Sequence, residues 1–354
     1  MTNQNYDVRD FDAVYYYVAR LVETGRLPTG VLGIAQADVV VDVRAFGQRS
    51  DGQPVTIDDV YLLFSITKPI VALATVQLVE RGLINLDHEL KQYLPGFGAN
   101  RPDTVQLWHL LTHTSGIDAS TMDFTAPNLL DGDQFRAALV NAPMAFIAGS
   151  HKQYNNLAYS YLRHVIQSVS GLDLETYLQR NLLGPLGMAN TSFDACERAP
   201  ERVMPTQWLD GLDIDTLMHM QDPSVGLFST APDLLRLGRA LLNGGTLDGQ
   251  RVISPLTLKT MTTPWTAGIP TTAPDDFAFT DTEVGLTWML PRHSKGISAA
   301  NGDTIIYGHN GWGGCLFWMY PQQGACFAFM TNLLNAGLHC EEMLRIHNVF
   351  AACL

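Results

Sequence analysis

"YLLFSITKPIVAL", residues 61–73, is the stretch on which the fold turns. From Ser65 to Glu80 apolar residues recur at helical spacing, and Gly82 supplies a stop. The spacing predicts a helix beginning at Ser65. Ser65 and Lys68 then lie one turn apart on the same face. One reading is a helix-capping serine with a solvated amine. The other is a nucleophile with its base. Lys68 is the only lysine in the chain with a serine three residues before it. It sits among Leu62, Leu63, Phe64, Ile66 and Ile70, where an idle ammonium is expensive to bury. A neutral lysine at that place accepts the serine proton, and the helix N-terminus favours developing negative charge.

Upstream, "VRDFDAVYYYVARLVETGRL" reads as an amphipathic helix ending near Gly25. "TGVLGIAQAD" and "VVVDVRAFGQ" read as a β-hairpin. From residue 83 to 228 strand signals are scarce, and short helical segments alternate with Gly and Pro turns. A helix capped by Ser229 or Thr230 follows, then another over "SPLTLKTMTTP". The C-terminal part carries four strand-like segments, "EVGLTWML", "DTIIYGHN", "CLFWMYPQ" and "ACFAFMTN", and a closing helix, "LHCEEMLRIHNVFAA". Strands at both ends predict an α/β (α+β) fold. One antiparallel sheet flanked by helices is built from both termini, with an all-helical inserted domain. The expected boundaries are 1–82 with 229–354 for the sheet domain and 83–228 for the helical one, the active site lying between them. Residues 264–282 read as a long loop of the kind that is often functional.

The chain has 354 residues, 46% hydrophobic and 16% charged, as globular proteins do. A formal net charge of −13 argues against nucleic acid and anionic membrane surfaces as partners. No basic segment leads into an apolar one after Met1, so no secretory leader is expected. No apolar run approaches the length of a membrane span. The five cysteines, Cys196, Cys315, Cys326, Cys340 and Cys353, lack CxxC spacing and read as reduced thiols. Together these features predict a cytoplasmic location. They leave a homo-oligomer open.

The blocks "FSITKPIVALATVQLVERGLINLDHELKQYLP" (64–95), "HLLTHTSGI" (109–117) and "GLFSTAPDLLRLGRALLNGG" (226–245) resemble the serine β-lactamase-like hydrolases. That family includes class C β-lactamases, family VIII carboxylesterases and penicillin-binding D,D-peptidases. The resemblance spans roughly residues 30–335 and implies a β-lactamase/transpeptidase-like fold. It makes Ser65 the nucleophile of an SxxK motif, with Lys68 in its base system. "QYNNLAYS" supplies the Y-x-N element, with Tyr154 relaying the proton and Asn156 hydrogen-bonding Lys68 and a substrate carbonyl. A packed tyrosine and a capping asparagine are the alternative for that pair. The usual K-T-G strand reads His309-Asn310-Gly311 here. A neutral His309 and an amide at Asn310 grip a substrate carboxylate less firmly than Lys and Thr, which favours esters without that carboxylate. Gly311 lets the backbone approach a ligand. The resemblance places the oxyanion between the N–H groups of Ser65 and Trp312, with Trp312 also walling the acyl pocket.

Other constellations are weaker. His109 and His113 have i, i+4 spacing but no HExxH glutamate. His339, Cys340, Glu341 and His347 fit an amphipathic end helix as well as a metal site. No GxSxG, P-loop or dinucleotide-binding motif is present. The expectation is a metal- and cofactor-free serine hydrolase acting through an acyl-enzyme on small to medium carboxylic esters. Alternatives are β-lactam or D-amino-acid peptide and amide cleavage, acyl transfer to an alcohol, or a non-catalytic scaffold of the same fold.

Overall fold

A computed structural model describes residues 10–98, 104–118, 132–205, 221–272, 282–291, 306–333 and 336–354. The chain begins with helix α1 (Asp12–Glu23) and the strands β1 (Thr29–Gln36) and β2 (Val39–Gly47). Strand β3 (Tyr61–Leu62) precedes helix α2 (Thr67–Glu80). The helices α3 (Leu107–Leu111), α4 (Gly132–Asn141), α5 (Leu157–Ser170), α6 (Leu174–Leu178) and α7 (Ala195–Arg198) follow. Then come β4 (Phe228–Ser229), α8 (Ala231–Leu242), β5 (Thr246–Leu247), β6 (Gln250–Arg251) and α9 (Pro255–Met261). Strands β7 (Glu283–Val284), β8 (Met289–Leu290), β9 (Tyr307–Asn310), β10 (Leu316–Tyr320) and β11 (Ala325–Met330) lead to α10 (Ala336–Ala352).

Seven strands form one antiparallel sheet in the order β2-β1-β11-β10-β9-β8-β7. The last strand pairs with the first, Val31 opposite Met330 through Gln36 opposite Ala325, so the sheet is assembled from both termini. Strand alternation divides the core. Val31, Ala35, Phe317, Met319, Cys326 and Ala328 join a cluster with α2, α3, α5 and α8. Leu32, Ile34, Leu316, Trp318 and Phe327 face the opposite way, onto α1 and α10.

Helix α2 is buried on nearly every side, Thr67 through Leu78 being enclosed. Its polar donors find partners inside the protein. Gln77 donates to the carbonyls of Asn181 and Val252, each at 2.8 Å, and Thr75 donates to that of Val71 at 3.0 Å. Helix α8 lies across the same sheet face. Thr230 is its cap, accepting from the Asp233 N–H, while Ser229 is occupied with Thr191 at 2.7 Å.

Two sequence expectations are corrected. The α-helix starts at Thr67, because Phe64–Ile66 form a 3₁₀ turn with Phe64 at φ 48°. Ser65 is thus ahead of the helix and does not cap it. "EVGLTWML" is two short strands, since Thr287 at φ 75° reverses the chain between β7 and β8. Among the described residues Cys196, Cys315, Cys326 and Cys353 form no disulfide. The Cys340 side chain, residues 273–281 of the expected loop and the first part of "DTIIYGHN" lie outside the described residues. Among the described residues no helix is long and apolar enough to cross a membrane.

Candidate active site

The site is built around the turn between β3 and α2. Strand β3 pairs with β4, Leu62 opposite Phe228. The Leu63 N–H donates to the Leu227 carbonyl at 2.8 Å, and the Leu227 N–H donates to Thr67 Oγ1 at 3.1 Å. These bonds dock residues 224–229 against the Phe64–Ile66 turn. A bulky residue such as Phe64 rarely adopts positive φ, so the turn holds Ser65 in a conformation that local preference alone would not select.

Lys68 is fully enclosed. Its Nζ lies 2.9 Å from Ser65 Oγ and donates to the Ser224 carbonyl, also at 2.9 Å. The faces of Tyr154 and Tyr159 flank the amine, with ring centroids 4.9 and 5.4 Å away. Among the described residues no carboxylate forms an ion pair with it. Burial disfavours the ammonium and pulls the Lys68 pKa down to about 7, against the opposing pull of Asp222. The amine is therefore a base poised near neutral pH.

Tyr154 is half-buried just ahead of α5, and its ring stacks on His113 at 4.6 Å. His113, at φ 58°, accepts the Asn155 N–H on Nδ1 at 3.1 Å. Burial first, then the charge of Lys68, holds His113 well below the usual imidazole range, so it is neutral with its proton on Nε2. His309 is likewise enclosed on β9. Its Nδ1 lies 2.8 Å from the Asn310 carbonyl, which can only accept, so Nδ1 carries the proton. Burial and the nearby Lys68 bring its pKa down to about 3. A small, partly open cleft is lined by Tyr154, His309, His113, Lys152, Thr282 and Thr287 among others.

Three candidate residues stand differently from expectation. Asn156 is exposed at the N-cap of α5 and makes no side-chain cap bond, and the hydrogen bonds of Lys68 go to Ser65 and Ser224 instead. Its neighbour Asn155 is the enclosed one, donating to the Ile117 carbonyl at 2.7 Å and accepting the Ala158 N–H. Asn310 alternates away from His309, and its Oδ1 accepts the Trp318 indole N–H at 2.7 Å, on the α1/α10 face of the sheet. Gly311 is required by the protein's own backbone, because a Cβ there would run into the Leu63 carbonyl oxygen. The N–H of Gly311 donates to the Cys315 carbonyl at 2.8 Å, closing the turn that carries Trp312. The Trp312 side chain packs beside Val60, Leu62, Phe64 and Phe228, next to the Ser65 turn.

Sequence reading passed over His113 as a stacking partner, and over Tyr159, Asp222 and Ser224. The metal pairing of His109 and His113 gives way to structural work: His109 Nδ1 accepts the Gln106 N–H at 2.9 Å, in a capping box on α3. Backbone strain marks the same region. Of the five described non-glycine residues with φ in the left-handed range, Phe64, His113, Gln221 and Thr287 all lie on segments meeting Lys68 or the cleft; the fifth is Asp248. Such strain persists where surrounding contacts over-determine the conformation.

Comparison with known proteins agrees with this architecture. A family model described as Beta-lactamase matches residues 16–348. Esterase EstB of Burkholderia gladioli is 32% identical over 217 residues, covering 53% of this chain and 55% of that one. The matched stretch is thus little more than half of that relative. A penicillin-binding protein homolog from Caulobacter crescentus superposes with a TM-score of 0.82 at 23% identity, covering 97% of each chain. The structure titled "EstCE1, a hydrolase with promiscuous acyltransferase activity" superposes with a TM-score of 0.78 at 19% identity, covering 96% of this chain and 97% of that one.

Proposed function

The chain belongs to the Beta-lactamase family, and from that premise we propose that it is a serine hydrolase acting on small to medium carboxylic esters through an acyl-enzyme on Ser65. The observation that carries this reading is the 2.9 Å contact between Ser65 Oγ and a buried Lys68 whose pKa lies near 7. In the neutral amine one N–H serves the Ser224 carbonyl and the lone pair is left for the Ser65 proton. Ser65 attacks the ester carbonyl as Lys68 takes that proton. The N–H groups of Ser65 and Trp312 hold the oxyanion, and Tyr154, against the amine, passes the proton to the leaving alcohol. Water then attacks the acyl carbonyl, the proton returns to Ser65, and the carboxylic acid leaves.

The neutral His309 supports esters over β-lactams, since β9 offers no fixed positive charge for a carboxylate and the amine of Lys152, in the same cleft, is engaged by the Thr282 carbonyl. The likeness to EstB points the same way. Transfer of the acyl group to an alcohol is the second reading, favoured by the likeness in shape to EstCE1. A series of p-nitrophenyl esters run beside nitrocefin tests the proposal. Ester cleavage should dominate and vanish in Ser65→Ala. Rapid nitrocefin turnover with little ester cleavage would reverse the substrate class, and unchanged ester hydrolysis in Ser65→Ala would remove the mechanism.

A further inference from the structure

Lys68 is enclosed, and its protonation must answer to whatever charges and dipoles surround it. The titratable groups facing it among the described residues come from every packed element. His113 and His309 are neutral for the reasons given, and Tyr159 is held well above the usual phenol range by burial. Tyr154 presents its ring face. Lys152, which lines the cleft with His113 and His309, donates to the Thr282 carbonyl, and the carboxylate that acts on Lys68 is Asp222, 5% exposed, on the segment that delivers the Ser224 carbonyl. Asp222 Oδ1 accepts both the Ser224 N–H at 2.7 Å and the Ser224 hydroxyl at 2.5 Å. The Asp222 carbonyl accepts the Gly226 N–H at 2.8 Å. One carboxylate thus clamps the turn whose carbonyl receives Lys68.

We propose that Asp222 is a positioning residue for acyl transfer, clamping the turn that receives Lys68 and placing an enclosed negative charge near the amine. Two effects follow. The clamp fixes the Ser224 carbonyl, which orients Nζ toward Ser65. The charge favours the ammonium, offsetting part of the burial that drives Lys68 to neutrality. Asp222 therefore raises the pH at which the base becomes available above the value that burial alone would give. Arg163 is a second cation that feels this carboxylate, which opposes the burial that holds its guanidinium below the usual arginine range.

The inference rests on the acyl-enzyme reading, and the test separates the two. Asp222→Asn keeps a carbonyl oxygen to accept from Ser224 and removes the charge. With a p-nitrophenyl ester, the acidic limb of kcat/KM should move to lower pH by about one unit, as expected for loss of a nearby opposite charge. One unit below the wild-type midpoint, the variant would then keep about half of its plateau where wild type keeps about a tenth. Ser224→Ala removes the hydroxyl bond but keeps both carboxylate and carbonyl, so its midpoint should stay at the wild-type value. An unmoved limb in Asp222→Asn, or an equal displacement in Ser224→Ala, overturns the electrostatic role. If Asp222→Asn does not fold, displacement of the midpoint in Ser224→Ala alone still overturns it, and a wild-type midpoint there with a lowered one in Asp222→Ser sustains it. Fluorophosphonate labelling of wild type reports on the premise separately: no adduct on Ser65 means the acyl-enzyme reading itself has failed.

Discussion

Lys68→Met should make the protein more stable while removing activity, and the gain should depend on pH. Folding takes the Lys68 amine from water into full enclosure, and its pKa from 10.5 to about 7. The fall is about 3.5 pH units, and each unit is worth about 1.4 kcal/mol of proton-linked free energy. Above pH 10.5 the amine is neutral in both states and costs nothing by this route. As pH falls toward 7 the unfolded chain takes up a proton that the folded one does not, and the folded state loses ground. Below 7 both states are protonated and the penalty levels off at about 5 kcal/mol. Methionine avoids it but leaves the Ser224 carbonyl without its donor, at about 1–3 kcal/mol. The net gain near pH 6 is therefore about 2–4 kcal/mol. Between pH 9 and pH 6 the gap between variant and wild type should widen by about 3 kcal/mol. Urea unfolding of both proteins at pH 6, 7.5 and 9 reads this directly. A stability difference that does not change with pH, or a variant less stable than wild type at pH 6, would refute the claim that Lys68 is held against its preferred charge.

Three further outcomes follow from the geometry. Tyr154→Phe should lower kcat by about 10²- to 10⁴-fold with little change in KM, the range expected for loss of a proton-transfer group; steady-state kinetics on a p-nitrophenyl ester checks it. Asn310→Ala should cost about 1–2 kcal/mol in urea unfolding by orphaning the Trp318 indole N–H, while kcat/KM stays near wild type; a selective loss of substrate binding would instead return Asn310 to the site. Gly311→Ala should destabilise by about 1–3 kcal/mol and also depress kcat, because the added methyl pushes on the Leu63 carbonyl one residue ahead of the Phe64 turn; thermal melts with matched kinetics separate the two effects.

Much of the fold was legible because it rests on periodicity. The alternation in "TGVLGIAQ" and "ACFAFM" and the apolar helix after Thr67 are local signals, and the sheet built from both ends follows from where they stand in the chain. What escaped was set by tertiary contacts. No local signal moves the helix start from Ser65 to Thr67, since the left-handed Phe64 is imposed by packing of β4 and residues 224–227. Thr287 reverses a segment that reads as one strand, held by its N–H to the Leu111 carbonyl at 2.7 Å and its hydroxyl to Tyr159 at 2.8 Å. At the candidate site the residue types in the SxxK and Y-x-N patterns could be read, and the structure brings Ser65, Lys68 and Tyr154 together. The surroundings of Lys68 could not be read. Asp222 and Ser224 lie about 155 residues downstream in a turn with no motif of its own, and strand alternation alone turns Asn310 away from His309. Asn156 and Asn155 are adjacent in sequence, and only the entry of the chain into α5 decides which one is enclosed.

The central claim is a covalent bond between substrate and Ser65, and trapping it is the most direct test. Wild-type protein mixed with a p-nitrophenyl ester, quenched with acid within the first turnover and digested, should carry the acyl mass on the peptide containing Ser65. The same treatment of Ser65→Ala should yield no adduct and no burst of p-nitrophenol. An acyl mass on another residue, or full turnover by Ser65→Ala, would contradict the account.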